Sequence, residues 1–213
     1  MGHSKPSGLT FIGELQSGIN GPMTPKMDHL VCFLPATLAL GVTRGKKLAD
    51  MPELTPRQAR DMELAVNLTH TCVQMYKNTA SGLAPEIVYF NLDESKPADM
   101  IVKPADRHNL LRPETVESLF VMMRITGEDK YRDWGWEIFQ SFEKYARVET
   151  GGYTSLNDVT VVPPPKRDKM ETFFTAETLK YLFMLFSDDH MVPLTHHVFN
   201  TEAHPLPILK NTC

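Results

Sequence analysis

Leu110-Leu111-Arg112-Pro113-Glu114-Thr115-Val116-Glu117-Ser118-Leu119-Phe120-Val121-Met122-Met123-Arg124-Ile125-Thr126-Gly127-Glu128-Asp129 is the stretch from which the fold can be read. Proline is accepted at the start of a helix and not in its interior. Beyond Pro113, residues Val116, Leu119, Phe120 and Met123 recur at helical spacing on one face. Thr126-Gly127-Glu128-Asp129 ends that helix. A second follows at once, with Tyr131, Trp134, Ile138, Phe142 and Tyr145 in register. Two helices joined by so short a turn pack antiparallel as an αα-hairpin.

The same pattern extends outward in both directions. Thr55-Pro56 reads as an N-cap with proline behind it, and Met62, Ala65, Val66, Thr69, Cys72, Val73 and Tyr76 keep a helical period for about four turns. An earlier helix is expected from Asp28 to Gly41, kinked at Pro35. A later one, from about Asp168 to Phe186, is apolar around much of its circumference, as suits a helix buried between others. Ile87–Phe90, Ile101–Lys103 and His197–Phe199 are short, β-branched or aromatic runs bounded by turn residues, which predicts small strands. Val161-Val162-Pro163-Pro164-Pro165 reads as a stiff surface connection. No βαβ alternation and no internal repeat emerges. The expected class is all-α, built from helical hairpins with short β ribbons at their ends.

Composition narrows the function. The chain has 213 residues, 42% of them hydrophobic and 23% charged, with a net charge of −4. Nothing there asks for nucleic acid or an anionic membrane. The apolar runs Leu30–Leu40 and Tyr181–Phe186 are too short to span a bilayer. Met1-Gly2-His3-Ser4-Lys5-Pro6 has no targeting core, so read literally the chain would stay in the cytosol. Three cysteines make no disulfide scaffold and no zinc motif. Cys32 and Cys72 are open to two readings, one bridge or two buried thiols. Asn67-Leu68-Thr69 is a glycosylation sequon inside an expected helix, a chance occurrence.

Polar clusters precede the helices: Lys26–His29, Asp106–Asn109, Arg112–Glu114, Glu171–Glu177 and Asn200–His204. Carboxylates and arginine bind hydroxyl groups, and Phe173-Phe174 offers an aromatic face for the apolar side of a sugar ring. Each residue also has a plainer role. Glu114 in a first helical turn favours the helix dipole anyway. Phe173 and Phe174 suit a core, His29 suits a cap, and Thr201 alone would not suggest calcium.

Several of these segments together resemble the class I processing α-mannosidases, glycoside hydrolase family 47. They are Lys26–Phe33, Leu110–Ser118, Tyr131–Trp136, Gly151–Tyr153, Phe173–Tyr181 and Val198–Pro205, in order and across nearly the whole chain. Asp28–Cys32 and Lys103–Asn109 are most similar to the endoplasmic-reticulum branch. The resemblance implies an (α/α)7 barrel of helical hairpins, with residues 1–213 forming the carboxyl-terminal portion of a single catalytic domain. It implies inverting, calcium-dependent hydrolysis of terminal α-1,2-mannose from high-mannose N-glycans, in glycoprotein quality control and degradation.

By the same resemblance Glu114 is the general base, Thr201 ligates Ca2+ through hydroxyl and carbonyl, and Glu177 and Glu202 hold its waters. Phe173 stacks on the sugar, Arg112 and His29 line the subsite, and Cys32 pairs with Cys72. The family works in the endoplasmic reticulum or Golgi lumen, as type II membrane proteins when full-length. Its general acid belongs to hairpins upstream of Gly8–Phe11, so the expected partner is the missing amino-terminal half of the barrel. A non-catalytic calcium- and mannose-binding module, or a mannosidase-like glycoprotein-sorting factor, is the alternative function.

Overall fold

The computed structural model describes residues 1–209. Strands β1 (Gly2–His3) and β2 (Thr10–Phe11) lead to β3 (Lys26–Asp28), then a 3-10 turn, His29–Phe33, that runs into α1 (Leu34–Thr43). Helix α2 (Pro56–Lys77) is followed by β4 (Ile87–Phe90) and β5 (Met100–Ile101). Then come α3 (Glu114–Thr126), α4 (Lys130–Tyr145), α5 (Leu179–Phe186), β6 (His197–Phe199) and β7 (Pro205–Pro207). The strands form separate antiparallel ribbons, β1–β2, β3–β4–β5 and β6–β7.

The helix borders follow local chemistry. At the start of α2, Thr55 and Gln58 form a reciprocal capping box with Pro56 behind it. Gly127, at φ 73°, closes α3 in the left-handed conformation, and three residues later α4 begins, which makes the expected hairpin. Two borders differ from the expectation. Pro35 lies in the first turn of α1, where a missing N–H costs nothing, so the segment from His29 is a 3-10 turn and then a helix instead of one kinked helix. That helix also runs past Gly41 to Thr43. The segment expected from Asp168 becomes helical only at residue 172, and Phe174–Thr178 forms a π turn before α5.

Helix α3 is the centre of the molecule. Every residue from Thr115 to Ile125 is buried except Glu117, which is half-buried. Helices α1, α2, α4 and α5 all pack on it. Gly135 of α4 lets α5 approach closely, since a Cβ there would sit 2.3 Å from a Leu185 methyl. The sequence suggested α5 as the enclosed helix. It is apolar all round, yet Phe183 is 62% exposed and Phe186 45% exposed. Apolar circumference alone does not tell whether a neighbour is present. Cys32 and Cys72 are joined by a disulfide, with Cα atoms 5.9 Å apart, tying the 3-10 turn to α2.

Candidate active site

The starts of α1, α3 and α5 carry the chemistry. Ahead of α3 the loop is pinned from both sides. Asn109 donates from Nδ2 to the Ala84 carbonyl (2.8 Å) and accepts from the Leu111 amide (2.8 Å). Leu111 is fully buried at φ 63°, a conformation that costs a branched side chain energy, and its carbonyl accepts from the Thr178 hydroxyl at 2.7 Å. That strain, held by contacts from two other segments, sets the direction in which Arg112 and Glu114 leave the loop.

Glu114, on the first turn of α3, meets His29 Nδ1 through its Oε2 at 2.7 Å. His29 is itself buried, and its amide donates to the Glu86 carbonyl at 2.8 Å. Burial pushes the Glu114 carboxyl up, but the His29 ring beside it, the Glu114 backbone amide and then the Arg112 charge outweigh it and hold the group below the usual carboxylate range. It is therefore ionised at neutral pH. Arg112 donates from Nε to Glu86, and its guanidinium lies 5.8 Å from the Phe173 ring centre. Phe173 is half-exposed beside it. Phe174 is fully buried against Phe142 and Tyr153, so the aromatic pair splits into one half-exposed ring and one core ring.

The second group of carboxylates gathers behind this one. Glu177 sits in the π turn, a distortion that often marks functional positions. Burial, then the charges of Glu114 and Glu202, push its carboxyl up. Glu202 and Thr201 lie in the turn between β6 and β7. Asn200 Oδ1 accepts there from the amides of Glu202 (3.0 Å) and His204 (2.9 Å), and Lys180 of α5 donates to the Ala203 carbonyl at 2.8 Å. Thr201 is exposed in that turn. Sequence reading missed Glu117, one turn after Glu114. Burial first, then Glu114 and Glu177, push it up to about 7, and Tyr181 donates to it. The i, i+3 spacing of two carboxylates on one helix face was the available signal.

This set fits a hard cation. Glu114, Glu117, Glu177 and Glu202 repel one another in linked pairs, and a cation would remove that penalty. The carboxylates supply oxygens, which suit a hard ion such as calcium, although the His29 ring nitrogen also meets Glu114. Among the described residues no three His, Cys, Asp or Glu side chains gather into a ready-made metal cage.

The starts of the helical hairpins thus present an ionised carboxylate, an arginine and an aromatic ring on one wall of a mainly helical fold. Residues 1–208 match glycosyl hydrolase family 47, and the chain belongs to that family. It is 58% identical over 226 residues to mannosyl-oligosaccharide 1,2-alpha-mannosidase MNS3 of Arabidopsis thaliana, covering 99% of this chain and 36% of that protein. Against the endoplasmic reticulum mannosyl-oligosaccharide 1,2-alpha-mannosidase of Homo sapiens it is 58% identical over 209 residues, 97% of this chain and 28% of that one. The solved alpha-1,2-mannosidase from Trichoderma reesei superposes with a TM-score of 0.81 at 28% identity, over 98% of this chain and 44% of the other. The hairpins are thus part of an (α/α)7 barrel. The chain spans about a third of the length of the curated relatives it matches.

Proposed function

We propose that this chain forms the general-base wall of a calcium-dependent, inverting α-1,2-mannosidase that trims high-mannose N-glycans in the endoplasmic reticulum. The observation that carries the reading is Glu114: ionised, oriented by His29, and flanked by Arg112 and Phe173. An inverting glycosidase needs a base on the face opposite the leaving group, about 6.5–9.5 Å from its acid, with water between. Glu114 Oε2 is occupied by His29, which leaves Oε1 to take the proton of that water as its oxygen attacks the anomeric carbon. Phe173 covers an apolar sugar face, and Arg112, fixed by Glu86, donates to sugar hydroxyls.

Thr201 would hold calcium, with Glu177 and Glu202 retaining its waters. The ion, when bound, supplies positive charge that orients sugar hydroxyls and neutralises the carboxylate group. The curated relatives named for the endoplasmic reticulum support that compartment. So does the Cys32–Cys72 disulfide, which suits an oxidising lumen.

The test uses the longest natural polypeptide that contains this sequence. Mannose release from a high-mannose glycan and calcium titration calorimetry are measured on the same preparations. Glu114→Gln is expected to lower release by about 10²–10⁴-fold and to leave calcium bound. Thr201→Ala is expected to weaken calcium binding and release together. Glu114→Gln with undiminished release would remove the base assignment. Thr201→Ala with wild-type calcium affinity would remove the metal assignment.

A further inference from the structure

Behind His29 lies a buried group that the reading above leaves unused. Tyr76, near the end of α2, is fully buried, and its hydroxyl is 2.8 Å from His29 Nε2. Thr115, the residue after Glu114, places its hydroxyl 3.1 Å from the same nitrogen. Among the described residues no carboxylate touches Nε2. We infer that Tyr76 is a positioning residue for the general base: its phenol O–H donates to His29 Nε2 and locks the imidazole as the Nδ1–H tautomer that grips Glu114.

The direction of each bond follows from what each atom is able to do. An ionised Glu114 only accepts, so His29 Nδ1 carries the hydrogen between them. With Nδ1–H held by Glu114, Nε2 faces the hydroxyls of Tyr76 and Thr115, and these two are the donors in its reach. Burial holds the Tyr76 phenol well above the ordinary phenol range, so it keeps its proton and remains a donor. The Tyr76 oxygen, at 2.8 Å, lies nearer to Nε2 than the Thr115 oxygen at 3.1 Å, so the chain runs from Tyr76 to His29 to Glu114, with Thr115 as a second hydroxyl at the same nitrogen. The Tyr76 link comes from α2, the helix that the Cys32–Cys72 disulfide ties to the 3-10 turn carrying His29. Without it the ring could turn about its own bonds and Glu114 would lose a fixed partner.

This inference rests on Glu114 being the base, so the experiment separates the two. The charged groups bearing on the chain are Arg112 before α3, Glu117 on α3, Glu177 in the π turn and Glu86 before β4. None of them is altered by Tyr76→Phe, which keeps the ring and removes only the hydroxyl. Mannose release against pH is measured for wild type, Tyr76→Phe, Thr115→Ser, Thr115→Val and Glu114→Gln. Tyr76→Phe is expected to lower kcat by roughly 10- to 100-fold with KM little changed. Its acid limb should move to higher pH, because Glu114 is less firmly hydrogen-bonded. Thr115→Ser, which retains a hydroxyl, should stay near wild type, and Thr115→Val should lie between.

Long-range proton–nitrogen spectra of 15N-histidine protein give a second readout that needs no turnover and no variant fold. The His29 resonances, identified by their loss in His29→Gln, should show a protonated Nδ1 and an unprotonated Nε2 at neutral pH. A wild-type His29 protonated at Nε2 overturns the inference. So does a Tyr76→Phe protein with unchanged kcat and pH profile while Glu114→Gln is inactive. If Glu114→Gln stays active, it is the base assignment that fails, whatever the tautomer.

Discussion

At the scale of single residues, the site separates groups that were legible in the sequence from groups that only the fold brings together. Glu114 and Arg112 stood out as part of a polar cluster ahead of a helix. Local sequence gave Glu114 only a helix-dipole role, and the family resemblance alone implied their place in a site. Glu117 was not singled out, although it is the carboxylate whose environment differs most from water, and its titration gives a sharp prediction. Burial first, and then Glu114 and Glu177, push it up to about 7 in the folded chain, against an ordinary value of 4.5. Between those two values the folded state holds a proton that the unfolded state has released. Stability therefore falls as pH rises through that window and stays low above it. Glu117→Gln removes the effect, so in calcium-free buffer its unfolding free energy from urea titration should exceed that of wild type at pH 8 by about 1–2 kcal/mol. Near pH 4.5 the two should be alike. A variant no more stable than wild type at pH 8 would show that Glu117 is solvated and outside the carboxylate group. Tyr76 was legible only as an apolar-face residue of α2; that its hydroxyl reaches His29 depends on a contact 47 residues away.

At the scale of elements, periodicity located the helices well and described their surroundings poorly. The Thr55-Pro56 start and the Gly127 stop are local chemistry, so they appear in the sequence as they do in the fold. The π turn at Phe174–Thr178 does not, because what holds it is the Thr178 hydroxyl on the Leu111 carbonyl, a partner from a different loop. The helix–helix contact of α4 with α5 likewise depends on Gly135, which reads as a weak point in an isolated helix and becomes a requirement in a packed one. Gly135→Ala would raise intrinsic helix propensity but drive a methyl into Leu185. The expected outcome is a net loss of about 1–3 kcal/mol, measured by chemical denaturation. Gly135→Ala combined with Leu185→Ala should recover part of that loss relative to Leu185→Ala alone, since the clash is gone. If the single variant is more stable than wild type, propensity outweighs packing there and the close approach is wrong.

At the scale of the whole molecule, one edge carries an apolar face with nothing on it. Trp136 of α4, 49% exposed, meets Phe186 of α5 edge to face, with ring centres 5.9 Å apart; Phe183 stands beside them, and Phe139 and Leu182 floor the groove. Soluble monomers rarely expose aromatic rings in a contiguous cluster of this kind. Glu137 of α4 turns away from the groove, toward Lys77 of α2. No helix of the described residues is long and apolar enough to cross a bilayer. Its apolar area lies on the helix pair that closes the described array, and such area drives association whenever water is the alternative. The isolated chain should therefore self-associate in a concentration-dependent way and bind an apolar dye, both of which analytical ultracentrifugation and dye fluorescence measure. Replacing Trp136, Phe183 and Phe186 by serine together should return the chain to monomer and cut the dye signal several-fold, with helix content kept. The three side chains touch the core only at its rim, so little folding free energy is lost. A wild-type chain that remains monomeric at high concentration would mean that the groove closes on itself in solution, by the α4 and α5 side chains turning inward to cover Leu182.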